Sequence, residues 1–283
     1  MVFKQKILCF ALVLALFVSV FTACTTPEQQ EQEQQTTTQT QQEEPEEENE
    51  LSYTDFADKS VGFIGGSLAS ALIDDIGAIP VDYPEDTALV LEDLRSGLID
   101  GFMTDLATAE VITNAAENSD LRIINIPADV FFGHMGAFSS KQDVIDEFNT
   151  FLTELKESGM FDEMQVRWFE NTPDENNRMP DIETTGENGT LVVATSASSI
   201  PFSYFGAGDD LLGYSVELAL RFAASLGMDC EFVITEFGEL IDHVESGDVD
   251  LGLDSVTINN ERSERVLFSD PIYSDRLAII TGR

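Results

Sequence analysis

The pattern of apolar and polar positions repeats in two distant parts of the chain. Residues 96–105, SGLIDGFMTD, and residues 246–255, SGDVDLGLDS, each follow a helix-like stretch and contain a Ser-Gly turn, an aspartate and a short apolar run. This succession predicts a helix, a tight turn and a buried strand, so each part should contain the same β-α-β unit. Because ligands bind beyond the carboxyl ends of strands in open α/β sheets, we expect Asp105 and Ser255 at facing edges of a cleft.

Other segments have the periodicity of elements that pack on such sheets. Residues 59–77, KSVGFIGGSLASALIDDIG, predict a strand, a glycine turn and a helix. Residues 143–157 and 159–170 predict two amphipathic helices, in which Trp168 and Phe169 are core residues. The chain as a whole is therefore expected to form an α/β protein.

The beginning of the chain has a different pattern and is not expected to join the fold. Residues 1–23 contain two lysines, a continuous apolar run and small residues, the order typical of a secretory signal peptide; the alternative is an uncleaved membrane anchor. Residues 24–50 are rich in acids and contain no basic residue, which predicts a disordered tether. Residues 171–189 are rich in turn residues and predict a linker. Residues 51–283 are then long enough for two small lobes.

Charge and composition narrow the functions that are open to the protein. The chain contains 14 lysines and arginines against 53 aspartates and glutamates, a formal net charge of −39. Nucleic acids and anionic lipid surfaces attract basic proteins, so we expect neither of them to bind. His134 and His243 stand apart, and the chain has neither the spacing of a metal site nor a glycine-rich nucleotide loop. We therefore expect no metal and no cofactor.

The three cysteines fit a protein outside the cytoplasm. Cys9 lies in the predicted signal peptide, Cys24 follows it, and Cys230 is the one cysteine in residues 51–283. No intramolecular disulfide is expected from this arrangement. Cys230 is expected to pack as a small hydrophobic residue in a buried strand at residues 229–234.

A polar stretch after the second repeated strand is a candidate carboxylate site. In residues 255–273, SVTINNERSERVLFSDPIY, Ser255 and Thr257 precede Arg262. Hydroxyls at a strand end and a nearby arginine would share one crevice, where a guanidinium can donate two parallel hydrogen bonds to a carboxylate. The alternative is a surface arginine paired with a neighbouring glutamate.

The glycine turn after the first predicted strand is a second candidate site. Gly66 and Ser67 lie between that strand and the helix that follows. Glycine lets the backbone approach a ligand closely, and the amides at the start of a helix favour negative charge. The alternative is a plain strand-to-helix turn.

Three blocks of sequence resemble the first lobe of the amino-acid type (family 3) solute-binding proteins of bacterial ABC transporters. They are LVVATSASSIPFSYF, GYSVELALRFAASLGMDCEFV and FGELIDHVESGDVDLGLDSVTINNERSERVLFSDPIY. The most specific part is the T-x-x-x-x-R pattern followed by FSDPIY. Residues 58–170 are similar to the second lobe of the family and to its C-terminal return into the first lobe. The resemblance implies a two-lobed, periplasmic-binding-protein-like (type II) fold with a ligand cleft between the lobes.

The resemblance also implies roles for individual residues in holding an amino acid. Asp105 would bind the α-amino group, a role compatible with capping the helix that follows. Leu68 stands where a second hydroxyl is common, so the match of the glycine turn is partial. The residues to which the resemblance gives a role at the α-carboxylate are Arg262, Thr257, Ser255, Gly66 and Ser67.

Four further positions would surround the side chain of the ligand. Phe237 matches a position that packs against it, and Ser199 stands where the family often has an opposing aromatic residue. Asp254 and Thr104 would make this pocket polar. We therefore expect a polar or cationic side chain on the ligand.

The two lobes occur in the inverse of the family's order. The expected segments are a second lobe at 51–140, return helices packed on the first lobe at 141–170, the first lobe at 190–275 and a hinge strand into the second lobe at 276–283. This order predicts a circular permutation that completes one binding protein; the alternative is a non-functional fragment of a tandem pair. The hinge strand is expected beside the other crossing, at residues 134–141.

These features together predict a lipoprotein on the extracytoplasmic face of the membrane that captures a free amino acid for an ABC importer. The end of the signal, FTAC, resembles a lipobox with Phe21 in place of the usual leucine, which implies a lipid on Cys24. The expected partners are an amino acid, a membrane-embedded permease and, through the lipid, the membrane. No enzymatic activity is expected; the alternative is a dehydratase-like enzyme on the same scaffold.

Overall fold

Two five-stranded sheets organise the computed structural model, which describes residues 51–170, 179–206 and 208–283. The part before residue 171 forms β1 (Ser60–Ile64), β2 (Ile79–Tyr83), β3 (Gly101–Asp105), β4 (Leu121–Asn125), β5 (Gly133–Met135) and β6 (Phe138–Ser139). The part after residue 178 forms β7 (Thr190–Thr195), β8 (Ser198–Ser199), β9 (Ser203–Phe205), β10 (Leu211–Leu212), β11 (Asp229–Ile234), β12 (Leu251–Gly252), β13 (Leu267–Phe268), β14 (Tyr273–Asp275) and β15 (Leu277–Gly282).

Helices cover these sheets. They are α1 (Ala69–Asp75), α2 (Thr87–Ser96), α3 (Leu106–Asn114), α4 (Gln142–Glu157), α5 (Met160–Gln165), α6 (Tyr214–Ser225), α7 (Leu240–Ser246) and α8 (Asn260–Ser263). Short 3-10 turns occur at Tyr53–Phe56, Ala116–Asn118 and Phe237–Glu239, and α5 continues into a π turn at Val166–Glu170. No helix within the described residues is long and apolar enough to cross a membrane.

We call the part of the structure around the first five-stranded sheet lobe 2, and the part around the second sheet lobe 1. The sheet of lobe 2 has the strand order β2-β1-β3-β15-β4. The strands β1, β2 and β3 run parallel, and β15 is antiparallel to both of its neighbours. Side chains alternate between the faces of a strand, so Leu277 and Ile279 enter one apolar core of this lobe while Ala278 and Ile280 enter the other. A strand from the end of the chain is thus buried in the middle of a sheet built by the first half.

The sheet of lobe 1 has the order β11-β7-β12-β6-β13, in which β6 comes from the first half of the chain. Helix α4 packs beside α6 in the core of this lobe, where Phe148 meets Phe222 edge to face with 5.0 Å between ring centroids. Trp168 is completely buried in the same core, and Phe169 packs against it. The prediction that these two aromatic residues belong to the core is confirmed.

The predicted Ser-Gly turns end their helices in both lobes. Helix α2 ends at Gly97, with φ +76°, and α7 ends at Gly247, with φ +81°. Glycine adopts this left-handed conformation without the penalty that a side chain brings, so it stops the helix and turns the chain toward the next strand. The predicted two-lobed α/β fold is confirmed.

Strand β11 differs from the expectation of a buried strand. It lies at the edge of the lobe 1 sheet and pairs only with β7, so several of its side chains are exposed. Cys230 is half-buried there, and burial raises the pKa of its thiol to about 12. The prediction of a strand is confirmed, but the prediction that it is buried is wrong. Apolar content alone does not indicate which strand forms the edge of a sheet.

The two crossings between the lobes lie side by side. Strand β5 pairs with β14 in antiparallel fashion, with Met135 opposite Tyr273 and Gly133 opposite Asp275. The chain then continues from β14 into β15, so the paired segment lies just before residues 276–283.

The predicted signal at 1–23, the tether at 24–50 and residues 171–178 of the linker lie outside the described residues.

Candidate functional site

A cavity of about 60 Å³ lies between the lobes, at the carboxyl ends of β1, β3 and β12. Eight of the ten residues predicted to bind a ligand line it: Ser67, Thr104, Asp105, Ser199, Phe237, Ser255, Thr257 and Arg262. The other two do not form its wall. Gly66 adjoins Ser67 and contacts the opposite lobe, and Asp254 lies behind Ser255.

Arg262 is held in place from two sides of the cleft. It belongs to α8, whose N-cap Asn259 accepts a hydrogen bond from the Arg262 backbone N–H at 2.8 Å. The guanidinium donates to the Thr257 carbonyl at 2.7 Å through Nη1, and to the Gly66 carbonyl of lobe 2 at 2.8 Å through Nη2. No ion pair with Glu261 or Glu264 is formed. A guanidinium has five N–H groups, so others remain for an anion in the cavity.

Asp105 lies at the end of β3 with its carboxyl group enclosed by both lobes. It occupies the N-cap position of α3 without a capping hydrogen bond from its side chain, and it pairs instead with Ser255 of lobe 1. Burial, followed by the negative charges of Asp275 and Asp254, raises the pKa of Asp105 to about 8, against the lowering effects of Arg262 and Ser255. The protonated form of this carboxyl group is therefore favoured below a pH of about 8.

The glycine turn brings lobe 2 against lobe 1. Gly66 has φ +78°, and a Cβ atom at this position would lie 2.4 Å from the Cα atom of Gly238. The next residue, Ser67, has a buried hydroxyl group with no hydrogen-bond partner among the described residues. A buried hydroxyl without a partner costs about 1 to 3 kcal/mol, so an acceptor or donor supplied by a ligand would recover this energy.

Asp254 has a structural position in the loop behind the cavity. One carboxylate oxygen accepts from the Thr195 hydroxyl at 2.9 Å and from the backbone and hydroxyl of Ser196, and the other accepts from the Ser255 backbone at 2.7 Å. The side chain is completely buried by these partners. The expectation that Asp254 makes the ligand pocket polar is therefore not met, because its hydrogen bonds hold it behind the wall.

Several residues that connect the lobes were missed from the sequence. Glu85, in the loop before α2, accepts hydrogen bonds from the Phe237 backbone and the Ser198 hydroxyl on the other side of the cleft. Thr108 of α3 donates to the Ile200 carbonyl at 2.6 Å. Neither residue has a local signal, since one glutamate in an acid-rich chain and one threonine in a helix are ordinary. Their partners lie about a hundred or more residues away.

Titratable groups are scarce in the wall of the cavity. Arg262 and Asp105 are the two ionisable side chains among the described residues that line it. The other lining residues are hydroxyl-bearing or apolar. Within the described residues, no group of three or more histidine, cysteine, aspartate or glutamate side chains is arranged to hold a metal ion.

Comparison with known proteins finds similarity in the second half of the chain. Residues 191–283 match the model of the bacterial extracellular solute-binding proteins, family 3. The arginine-binding extracellular protein ArtP of Bacillus subtilis is 37% identical over 93 residues, 33% of this chain and 36% of that protein. Cyclohexadienyl dehydratase of Pseudomonas aeruginosa is 34% identical over 95 residues, 34% of this chain and 35% of that protein.

Solved structures include a similar domain. The arginine-bound form of domain 1 from TmArgBP has 27% sequence identity and a TM-score of 0.30, and the match covers 36% of this chain and 87% of that one. The match to this chain spans about a third of the length of the curated relatives.

Proposed function

We propose, from the match of residues 191–283 to the model of the bacterial extracellular solute-binding proteins of family 3, that the protein captures a free amino acid between its lobes. The observation that carries the proposal is the pairing of one cation, Arg262, and one acid, Asp105, in the wall of the same cavity. A free amino acid has the matching carboxylate and ammonium groups. An arginine and an aspartate in the wall of one partly buried cleft suit a zwitterion.

The carboxylate would lie against lobe 1 and the glycine turn. Arg262 and the Thr257 hydroxyl would donate to it, and the orphan hydroxyl of Ser67 supports a contact from lobe 2. The ammonium group would bind Asp105 and displace its proton. The ligand would thereby join the two lobes, which would close on it by bending at the paired strands β5 and β14.

Transport is the process that such capture serves in this proposal. The protein would deliver the amino acid to a membrane-embedded ABC permease on the extracytoplasmic face of the membrane. Its attachment would depend on a lipid at Cys24, with residues 25–50 as a tether. Cys24→Ala should release the protein from the membrane fraction; a variant that still sediments with membranes would contradict the lipid anchor.

The relative named as a dehydratase makes an enzyme the second candidate. Binding is favoured because Asp105 and Arg262 are the ionisable groups that the described residues supply to the cavity wall, which provides no separate acid and base pair. Incubation of the purified protein with its ligand distinguishes the two. Recovery of the amino acid unchanged supports binding, and conversion to a product would support the enzyme.

Arg262→Ala is the direct test of the binding site. The ligand carboxylate would stay in the cleft without its partner, so the loss of binding free energy should be about 2 to 5 kcal/mol, measured by calorimetry. Arg265→Ala is the matched control, because Arg265 lies three positions away and pairs with Asp242 and Glu245 at the surface. Equal amino-acid affinity in the two variants would contradict the proposal.

A further inference from the structure

We infer that the cavity accepts a small amino acid with an uncharged side chain, of the size of glycine, alanine, serine or threonine. The inference rests on the proposed function and adds the class of its ligand. The sequence predicted a polar or cationic side chain, and the inference excludes the cationic class. Three independent features of the described residues support it: the charges of the wall, the volume of the cavity and the contact between the lobes at its rim.

The charges of the wall match an amino acid whose side chain is neutral. Arg262 and Asp105 are both used by the carboxylate and ammonium of the zwitterion, and no further ionisable group among the described residues lines the cavity. A charge on the ligand side chain would therefore be buried without a partner, which costs several kcal/mol. The rest of the wall offers hydroxyl-bearing and apolar side chains, which carry no charge.

The nearest other acids are occupied by backbone groups. Asp254 accepts hydrogen bonds from the loop behind the wall, and Asp275 accepts from the Ala107 and Arg276 backbones at 2.8 and 2.7 Å. Glu85 accepts from the Phe237 backbone across the cleft. A cationic side chain could reach one of these carboxylates only by breaking bonds that fix a loop, a crossing strand or the closed arrangement of the lobes.

The volume of the cavity limits the ligand to few atoms. With about 60 Å³, the cavity is smaller than an engineered cavity of roughly 150 Å³ that holds benzene, a ligand of six non-hydrogen atoms. Glycine has five non-hydrogen atoms and alanine six, whereas lysine has ten and arginine twelve. The small amino acids therefore need the least widening of the cavity, and the long ones need the most.

Contacts between the lobes narrow the rim of the cavity on one side. The backbones of Gly66 and Gly238 touch there, and Glu85 is bonded to the residue before Gly238. An acidic pocket with Asp82, Glu85 and Glu236 in its wall lies nearby, yet it shares no lining residue with the ligand cavity. These carboxylates are therefore not part of the wall that surrounds a ligand held by Arg262 and Asp105.

The test is a calorimetric panel on the purified full chain after removal of any bound ligand. Glycine, alanine, serine and threonine are compared with lysine, arginine and glutamate. We expect at least one of the four small amino acids to bind tenfold or more tightly than all three charged ones. Equal or tighter binding of a charged amino acid would overturn the inference and leave the proposed function intact. Binding of none of the twenty common amino acids would overturn both.

A variant tests the limit on size directly. Leu68→Ala removes atoms from the cavity wall, and Leu98→Ala is the control, because Leu98 is 70% exposed and lies outside the cavity. We expect Leu68→Ala to raise the affinity for valine and leucine relative to alanine by fivefold or more, and Leu98→Ala to leave that ratio unchanged. The same ratio in both variants would overturn the claim that this wall selects by size.

Discussion

At the scale of single residues, the electrostatic balance around Asp105 decides how the cleft behaves when it is empty. The charged groups that face its carboxyl are Asp275, Asp254 and Arg262, with Ser255 as a hydrogen-bond partner. Burial, followed by the charges of two acids against one arginine, favours the protonated form of Asp105, whose pKa rises to about 8. An ammonium group beside Asp105 would favour the charged form instead.

Ligand binding is therefore expected to release a proton. Below a pH of about 8, Asp105 is expected to be protonated in the free protein and deprotonated in the complex. The affinity for the ligand should therefore rise with pH and level off near the pKa of Asp105 in the free protein. The slope is at most about tenfold in affinity for each pH unit. Calorimetry at pH 6.5 in buffers with different ionisation enthalpies should report the release of close to one proton per ligand.

Asp105→Asn provides the control for this linkage. The variant should bind more weakly at every pH and should release no proton, because an amide does not titrate. Proton release that persists in Asp105→Asn would assign it to another group, of which Glu85 is a candidate since burial also raises its pKa.

At the scale of elements, two turns with the same backbone conformation have different surroundings. Gly66 joins β1 to α1 with φ +78°, and Gly97 ends α2 with φ +76°. A Cβ at Gly97 would meet nothing within 4 Å, whereas a Cβ at Gly66 would overlap the backbone of Gly238 in the other lobe. Alanine substitutions at the two glycines therefore separate two effects. Both strain the backbone, but only the substitution at Gly66 also keeps the lobes apart.

Gly66→Ala should therefore weaken ligand binding by tenfold or more, because the lobes can no longer meet at this turn. Gly97→Ala should lower the free energy of unfolding by about 1 to 2 kcal/mol, the cost of a side chain in the left-handed region, and leave affinity unchanged. Thermal unfolding and calorimetry on both variants measure the two effects. If the two variants kept the same affinity, the contact at Gly66 would have no role in binding.

At the scale of the whole molecule, each half of the chain completes the lobe that the other half builds. β6 joins the lobe 1 sheet, and β15 lies inside the lobe 2 sheet. The π turn after α5 is tied to α6 by Arg167 and Trp168, whose side chains donate to the fully buried carboxylate of Glu217 at 2.7 Å each. These contacts support our proposal of one circularly permuted binding protein over a fragment of a tandem pair.

Truncation tests that proposal. Removal of residues 277–283 would take away the strand between β3 and β4 and expose both cores of lobe 2, so ligand binding should be lost and lobe 2 should no longer unfold cooperatively. Removal of residues 282–283 alone, which are exposed, should leave binding intact. Circular dichroism and calorimetry measure the two outcomes. Full affinity after the longer truncation would favour the fragment.

Local signals in the sequence predicted the elements and two ionisable residues of the candidate site. Periodicity and the Ser-Gly turns located the helices and strands of both lobes, because these signals are local. The repeated unit also placed Asp105 and Ser255 at facing strand ends, where the structure finds Asp105 paired with Ser255. The resemblance to family 3 added the role of Arg262, which remains a proposal.

The surroundings of Asp105 and Arg262 follow from tertiary packing. It set Asp254 behind the wall, brought Glu85 to the Phe237 backbone and placed Gly66 against Gly238. It also put β11 at a sheet edge and β15 in a sheet centre. These positions could not be predicted locally, because each depends on which distant segments of the chain meet and at what distance. Local patterns determine the conformation of a segment, and packing determines its neighbours.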